Sequence, residues 1–230
     1  MKYQHIFFDL DGTLWDFETN SYQTLLELCN SYKLNQKGIV DYDKFIKTYK
    51  IHNAMLWDLY NVDKISQKDL RRERFQRTLI DFGIHDFKLS EDIGEEYIAL
   101  CPRKKKLFPY ALEVLDYLQA KYRLHIITNG FHLTQHIKLK QSNLTSYFNQ
   151  IITSEKTGVK KPNPLIFSHA LDLANANNDE SIYIGDNLVV DIVACQNSDI
   201  DGIYFNPKKK RHNENVKFEI SCLSQLMEIL

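Results

Sequence analysis

Two acidic residues follow a predicted buried strand near the start of the sequence, in the stretch IFFDLDGTLWD that begins at Ile6. Asp9 and Asp11 are separated by one leucine, and Gly12 and Thr13 come next. A carboxylate can attack phosphorus and carry the phosphoryl group, while a second carboxyl can protonate the leaving oxygen and then take a proton from water. This spacing indicates Asp9 as a nucleophile and Asp11 as a general acid/base.

Polar segments also follow three later apolar runs, namely 128–130 (TNG), 158–164 (GVKKPNP) and 185–191 (GDNLVVD). In an open parallel sheet, ligands bind outside the carboxyl ends of the strands, so we expect these segments to converge. Crowded carboxylates repel one another unless a hard cation lies between them, and an all-oxygen cluster favours Mg²⁺ over a soft metal. We therefore predict Asp9 and Asp186 as direct Mg²⁺ ligands.

Five short apolar runs are predicted to be strands, and after Pro109 they alternate with helical patterns. Several runs are apolar on both faces, which is typical of a parallel sheet covered on both sides. We therefore predict an α/β, Rossmann-like core, with helices that begin at Pro109, at Pro162 or Pro164, and at Asn187. The predicted strands are Tyr3–Phe8, Leu124–Thr128, Gln150–Thr153, Ser181–Gly185 and Gly202–Phe205.

The stretch from about residue 15 to residue 104 contains four helical patterns and no convincing strand. The third pattern begins at Ser66 and ends at Gly83, and the fourth is predicted to begin at Ser90, with acids in its first turn. An all-α, four-helix unit is therefore predicted to be inserted after the first strand. The predicted domains are an α/β core of residues 1–15 and 105–230 and a helical cap of residues 16–104.

The charge balance and the cysteine content limit the partners. The chain has 29 Lys+Arg against 30 Asp+Glu, so nothing global favours a nucleic acid or an anionic membrane as a partner. The four cysteines are scattered without a C-x-x-C pair, which favours reduced thiols over a disulfide framework. No apolar stretch approaches the ~20 residues that span a bilayer. We expect a cytoplasmic monomer or weak homo-oligomer.

The motifs DLDGTL, ITNG, KKP and GDNLVVD, in that order and at strand ends, resemble the four motifs of the haloacid dehalogenase-like phosphatase superfamily. The resemblance covers roughly residues 3–15 and 105–206. It implies a phosphate monoester as the small-molecule substrate and Mg²⁺ as the cofactor. It also implies Asp9 as nucleophile, Asp11 as acid/base whose backbone carbonyl binds the metal, and Asp186 as a ligand.

The same resemblance assigns roles to the later motifs. It places Thr128 and Lys161 on the phosphate, and the pattern of a lysine immediately before proline selects Lys161 over Lys160. It implies that Asp191 holds this lysine or a metal-bound water. Asn187 stands where many relatives have serine, which we expect to change a water contact only.

A narrower likeness concerns the substrate. The stretches KYRLHIITNGFHLTQHIKL, YIGDNLVVDI and GIYFNP look like bacterial pyrimidine 5′-nucleotidases of the superfamily, with Gln135 seven residues after Thr128 as one mark. This implies hydrolysis of UMP, dUMP or dTMP. Asp11 favours phosphate-ester chemistry over dehalogenation. It does not distinguish a pyrimidine 5′-nucleotidase from a sugar-phosphate phosphatase or a phosphomutase. A non-catalytic phosphate-binding protein is the alternative from a different class.

Four further residues are predicted to contact the substrate. Trp15 and Phe17 follow the nucleophile closely and could stack on a nucleobase, an interaction worth ~1–3 kcal/mol. Asn129 and Gly130 follow the predicted phosphate-binding threonine directly.

Overall fold

The computed structural model describes residues 2–230, which form two compact units. One unit consists of residues 2–17 and 105–230, and the other is Glu18–Lys104. The predicted domain boundaries, with the helical cap starting at residue 16, stay a prediction. No helix among the described residues is both long enough and apolar enough to cross a membrane.

The unit Glu18–Lys104 is helical, and none of its residues, all of which the structure describes, forms a strand. This confirms the predicted insertion of a four-helix, all-α unit. Two short 3₁₀ segments, Leu34–Lys37 and Cys101–Arg103, accompany the longer helices. The α-helices are α1 (Phe17–Ser31), α2 (Tyr42–Asn61), α3 (Gln67–Asp81) and α4 (Phe87–Leu100).

Helix α3 has the ends that the sequence predicts. The Ser66 hydroxyl accepts a hydrogen bond from the Asp69 backbone N–H at 3.1 Å, which satisfies one of the free donors at the start of the helix. Gly83 follows the helix with φ of +74°, a left-handed conformation that glycine adopts without steric cost.

The prediction that the fourth helix begins at Ser90 is wrong. Helix α4 begins at Phe87, and the Asp86 carboxylate caps it by accepting a hydrogen bond from the Leu89 backbone N–H at 2.9 Å. Ser90 lies inside the helix, where its hydroxyl donates to the Phe87 carbonyl at 2.7 Å. Aspartate caps a helix as well as serine does, and the earlier start buries Leu89.

The larger unit contains a six-stranded sheet in which all paired strands run parallel. The strands lie side by side in the order β3-β2-β1-β4-β5-β6. Strands β2 and β3 therefore lie on one side of β1, and β4, β5 and β6 lie on the other. This order confirms the predicted Rossmann-like α/β fold. The strands are β1 (His5–Phe8), β2 (Arg123–Thr128), β3 (Phe148–Thr153), β4 (Ser181–Gly185), β5 (Asp201–Phe205) and β6 (Phe218–Ile220).

The sequence analysis missed β6 and started β1 too early. Strand β6 has only three residues, of which Ile220 alone is buried, so it shows no alternating pattern. Tyr3 lies before β1, where its hydroxyl donates to the Asp201 carboxylate at 2.6 Å. The side chain of Tyr3 is therefore held by a polar contact, and its backbone is not part of the strand.

Helices accompany the strands along the chain. Pro164 immediately precedes α8, whereas the helix predicted at Pro109 begins two residues later, at Ala111. A π-helical segment, Leu188–Val193, follows β4 and leads into α9. The helices are α5 (Ala111–Gln119), α6 (His132–Gln141), α7 (Ser154–Thr157), α8 (Leu165–Ala174), α9 (Ala194–Gln196) and α10 (Leu226–Ile229).

Strand β1 is apolar on both faces because the sheet is covered on both sides. Ile6, Phe7 and Phe8 are all buried. Phe7 belongs to an apolar cluster with Ile166 and Phe167 of α8. The buried strand fixes the point at which the first acidic residue leaves the sheet.

Two buried histidines on neighbouring strands form a stacked pair. The rings of His5 and His125 lie 5.3 Å apart between centroids, and His5 Nδ1 lies 3.1 Å from His125 Nε2. The ring of Phe7 lies 4.7 Å from that of His125. Burial, followed by the proximity of His5 and Arg123, lowers the pKa of His125 to about 4.

This depressed pKa makes stability depend on pH. Between about pH 6.5 and about pH 4, the unfolded chain binds a proton at His125 that the folded chain excludes, so stability should fall as the pH falls. His125→Gln retains a hydrogen-bonding group beside His5. We expect it to reduce the loss of unfolding free energy over this pH range by on the order of 2 kcal/mol. Urea unfolding at a series of pH values would measure the difference, and parallel profiles for the two proteins would contradict it.

Candidate active site

Asp9 stands one residue beyond β1, at the carboxyl end of the strand. Its backbone N–H donates to the Ile184 carbonyl of β4 at 2.9 Å, so the pairing of the two strands continues through Asp9. The chain then turns back, because the backbone N–H groups of Leu14 and Trp15 both donate to the Leu10 carbonyl, at 3.1 and 2.9 Å. The turn keeps the residues after β1 next to the end of β4.

The conformation and the surroundings of residue 12 explain why the first motif has a glycine there. Gly12 has φ of +93°, which disfavours a side chain, and an added Cβ atom would lie only 2.4 Å from Oδ2 of Asp186. The Thr13 hydroxyl donates to Oδ1 of the same carboxylate at 3.3 Å. The turn therefore forms one wall against the Asp186 carboxylate, and any larger residue at position 12 would displace it.

Lys161 is a buried cation at the centre of the site, with a side chain that is 2% exposed. Its Nζ atom donates to Oδ1 of Asp9 at 2.7 Å, to Oδ1 of Asp191 at 2.6 Å and to the Tyr183 hydroxyl at 2.7 Å. Burial opposes its charge, yet the two carboxylates outweigh this effect and raise the pKa of Lys161. All three donor positions of the ammonium are therefore used.

Asp191 orients this lysine and is itself held at both oxygens. Its Oδ1 accepts from Lys161 and from the Tyr183 hydroxyl at 3.0 Å, and its Oδ2 accepts from the Asn187 backbone N–H at 3.0 Å. The Asn187 side chain caps the following helical turn by accepting from the Val190 backbone N–H at 3.0 Å. The sequence analysis missed Tyr183, although a hydroxyl within an otherwise apolar buried strand was a signal for it.

Three carboxylates gather at this edge of the sheet. Asp9, Asp186 and Asp191 each offer an oxygen, and these oxygens all lie within 4.8 Å of one another. Burial raises the pKa of Asp9 well above its ordinary range, and burial with the neighbouring Asp191 raises the pKa of Asp186 to about 7. Both predicted carboxylate ligands of Mg²⁺ belong to this cluster. Its hard oxygen donors and its excess of negative charge fit a divalent cation of this type.

The Asp11 carboxylate has different partners. The ammonium of Lys138 lies 2.6 Å from each of its two oxygens, and Nε2 of Gln135 donates to Oδ2 at 2.8 Å. The sequence analysis did not identify Lys138, and it used Gln135 only as a mark of resemblance. Their three-residue spacing on α6 places both on one face of the helix, which was the available signal.

The motif after β2 makes contacts of two kinds. The Thr128 hydroxyl oxygen accepts from the Gly130 backbone N–H at 3.0 Å and from Nε2 of Gln135 at 2.8 Å. The Asn129 side chain instead pairs with the backbone of Lys161, accepting from its N–H and donating to its carbonyl, both at 2.8 Å. Asn129 therefore holds the segment that carries Lys161, a role that the sequence analysis did not predict.

Trp15 and Phe17, which were predicted to contact a substrate, lie beside Lys138. Trp15 is fully buried, and Nζ of Lys138 lies 4.6 Å from its ring centroid. Phe17 is partly exposed, with the same Nζ atom 5.9 Å from its ring centroid. The indole of Trp15 has no exposed face in this structure, and a substrate contact of Trp15 or Phe17 stays a prediction.

Comparisons with known proteins give a consistent result. Residues 3–199 match the family model described as haloacid dehalogenase-like hydrolase. The chain is 30% identical to pyrimidine 5′-nucleotidase PynA of Streptococcus pneumoniae, over 100% of this chain and 96% of the relative. It is 28% identical to pyrimidine 5′-nucleotidase YjjG of Escherichia coli, over 100% of this chain and 99% of the relative.

A solved structure supports the same assignment. The fold is similar to the crystal structure of the putative HAD-hydrolase YfnB from Bacillus subtilis bound to magnesium, with a TM-score of 0.90 and 26% identity. The match covers 100% of this chain and 99% of that one. Because the family model spans every strand end that contributes to the site, the resemblance inferred from the four motifs is confirmed, and this chain is an enzyme that belongs to the haloacid dehalogenase-like hydrolase family.

Proposed function

We propose that the chain is a Mg²⁺-dependent phosphoric monoester hydrolase that acts through a phosphorylated Asp9. The Asp9 carboxylate is the observation that carries the proposal. Lys161 holds its Oδ1, whereas no hydrogen bond from the described residues engages its Oδ2. A carboxylate oxygen that is fixed in place but has no donor bound to it is suited to attack phosphorus.

The reaction would proceed in two halves. In the first half, an Asp9 oxygen attacks phosphorus, the bond from phosphorus to the leaving oxygen breaks, and the Asp11 carboxyl gives its proton to that oxygen. In the second half, Asp11 takes a proton from water, and the resulting hydroxide attacks phosphorus. The bond between phosphorus and Asp9 then breaks, and inorganic phosphate leaves.

Lys161 and Thr128 are the proposed phosphate-binding side chains. The Lys161 ammonium already lies 2.7 Å from the attacking group, so its charge would balance negative charge on the phosphoryl oxygens as the bonds change. The Thr128 hydroxyl, held by Gly130 and Gln135, is fixed at the end of the neighbouring strand. Both groups are in position before a substrate arrives, which is the arrangement that stabilises a transition state.

Asp9, Asp186 and the backbone carbonyl of Asp11 are the proposed ligands of Mg²⁺, with the Asp191 carboxylate close to the first two. When bound, the ion would favour the ionised form of the buried carboxyls and neutralise charge on the phosphate. The residues themselves provide the nucleophile, the proton carrier and the orienting contacts.

A pyrimidine nucleoside 5′-monophosphate, namely UMP, dUMP or dTMP, is the proposed substrate. The support is that two relatives aligned over the whole chain are named pyrimidine 5′-nucleotidases. The competing assignment, a sugar-phosphate phosphatase or phosphomutase, shares the same catalytic residues. Incubation with a panel of nucleotides and sugar phosphates would separate them, because a nucleotidase releases phosphate fastest from the pyrimidine nucleotides and a mutase yields isomerised sugar phosphate.

Removal of the nucleophile should abolish turnover. We expect Asp9→Asn to reduce the release of phosphate from UMP by at least ~10³-fold, because the amide does not form the acyl phosphate. A malachite-green phosphate assay measures the rate, and circular dichroism checks the fold. Asp172→Asn changes an exposed carboxylate on α8 and should leave the rate unchanged. Substantial turnover by Asp9→Asn would refute the assignment of the nucleophile.

Asp11 should matter most when the leaving group is a strong base. We expect Asp11→Asn to slow the first-turnover release of uridine from UMP by about 10²–10⁴-fold. The release of 4-nitrophenol from 4-nitrophenyl phosphate should slow much less, because this leaving group needs little protonation. Rapid-quench and stopped-flow measurements give the two rates. Equal losses with both substrates would argue against Asp11 as the acid.

Mg²⁺ should stabilise the folded protein through Asp186. We expect MgCl₂ at saturating concentration to raise the apparent Tm of the wild type by a few degrees, because the ion binds the folded state only. Asp186→Asn should lose this shift, although its own Tm without Mg²⁺ should not fall, since one buried acidic group is removed. Differential scanning calorimetry measures both values. A full Mg²⁺ shift in Asp186→Asn would exclude this residue as a ligand.

A further inference from the structure

Lys138 is a buried cation for which the proposed reaction gives no role. It lies in the last turn of α6, and its side chain is 6% exposed. Taking an ammonium out of water is costly unless a partner of opposite charge compensates it. The only carboxylate that it contacts among the described residues is that of Asp11, the proposed acid/base.

The contact fixes the orientation of the Asp11 carboxylate. Both oxygens of Asp11 lie 2.6 Å from the Nζ atom of Lys138. Rotation of the Asp11 carboxylate away from Lys138 would therefore break at least one of these two charge-assisted hydrogen bonds. Gln135 adds a third contact from Nε2 at 2.8 Å, and the same Nε2 atom lies 2.8 Å from the Thr128 hydroxyl oxygen. Gln135 therefore ties the acid/base to the proposed phosphate-binding residue.

Lys138 is itself held from a second side. Its Nζ atom lies 4.6 Å from the ring centroid of Trp15 and 5.9 Å from that of Phe17, within the range of cation–π attraction. The two rings and the carboxylate together define one position for the ammonium.

All three contacts are made to the Asp11 oxygens by donors. The ammonium and the amide N–H groups carry no free lone pair, so each of them uses an Asp11 oxygen as its acceptor. In the proposed reaction Asp11 becomes a carboxylate when it has given its proton to the leaving oxygen, and it must then accept a proton from water. Donors that hold both oxygens would keep the Asp11 carboxylate in place for this second step.

We propose that Lys138, assisted by Gln135, is a positioning residue that holds Asp11 as an oriented base for the hydrolysis of phospho-Asp9. The inference rests on the proposed function. It adds a residue whose ion pair among the described residues is with Asp11 and with none of the clustered carboxylates of Asp9, Asp186 and Asp191, and that acts on the second half of the reaction through Asp11 alone.

Burst kinetics test this role. In Lys138→Met, 4-nitrophenyl phosphate should still phosphorylate Asp9, while hydrolysis of the phosphoenzyme should slow by about 10- to 100-fold. Stopped-flow absorbance should then show a burst of nearly one 4-nitrophenol per active site, followed by a slow steady rate. Lys138→Arg, which keeps a cation able to bind both oxygens, should restore most of the steady rate.

Matched controls separate this role from a general loss of charge or of folding. Lys140→Met removes the same charge from an exposed position on α6 and should behave as the wild type. Combined with Asp11→Asn, Lys138→Met should have no further effect, because the residue it positions is already disabled. If Lys138→Met folds poorly, Gln135→Leu removes one of the three contacts to Asp11, together with the contact to the Thr128 hydroxyl, and should give a smaller burst in the same direction.

Two results would overturn the inference. One is a Lys138→Met enzyme without a burst and with the steady rate of the wild type. The other is a raised KM with unchanged kcat, which would mean that Lys138 binds the substrate instead. Activity of the wild type and its loss in Asp9→Asn test the proposed function separately, so a normal Lys138→Met enzyme would refute this inference and leave that function intact.

Discussion

The compensation of buried negative charge is the constraint on which this site depends. Asp9, Asp186 and Asp191 bring carboxylate oxygens within 4.8 Å of one another in a largely buried place, and like charges at such distances resist ionisation. Lys161 supplies one positive charge, and it contacts two of the three carboxylates. The remaining excess of negative charge is what a divalent cation can neutralise. Burial first, and then the neighbouring carboxylates, raise the pKa values of Asp9 and Asp186 above their ordinary range.

The sheet order makes this crowding possible. Because β1 lies between β2 and β4, the residues after three different strands meet at one edge although they are far apart in the sequence. The short turn after β1 fits against Asp186 only because residue 12 is a glycine. Two lysines then serve two acids separately. Lys161 is paired with the proposed nucleophile and Lys138 with the proposed acid/base, so each carboxylate has its own cation and its own orientation.

The sequence predicted the architecture where the pattern was long or chemically distinctive. The apolar run of β1, the serine cap of α3 and the motif at each strand end all occur in the structure in the predicted order. The prediction failed where local signals were weak or duplicated. Ser90 and Asp86 are both suitable caps, and only the burial of Leu89 favours the earlier one. Strand β6 is too short to show a period, and its place in the sheet is decided by pairing with β5.

The sequence by itself determined which residue types stand at the ends of the strands, and hence that acidic residues, a threonine and a lysine would be available for phosphoryl chemistry. The tertiary structure alone decided how these residues are partnered. Lys138 lies 127 residues from Asp11, Tyr183 lies 22 residues from Lys161, and Asn129 reaches the backbone of a segment 32 residues away. Local propensity and periodicity describe neighbours along the chain, whereas these contacts form because parallel strands bring distant segments to the same edge, where burial leaves each charge and each donor dependent on the partner that packing supplies.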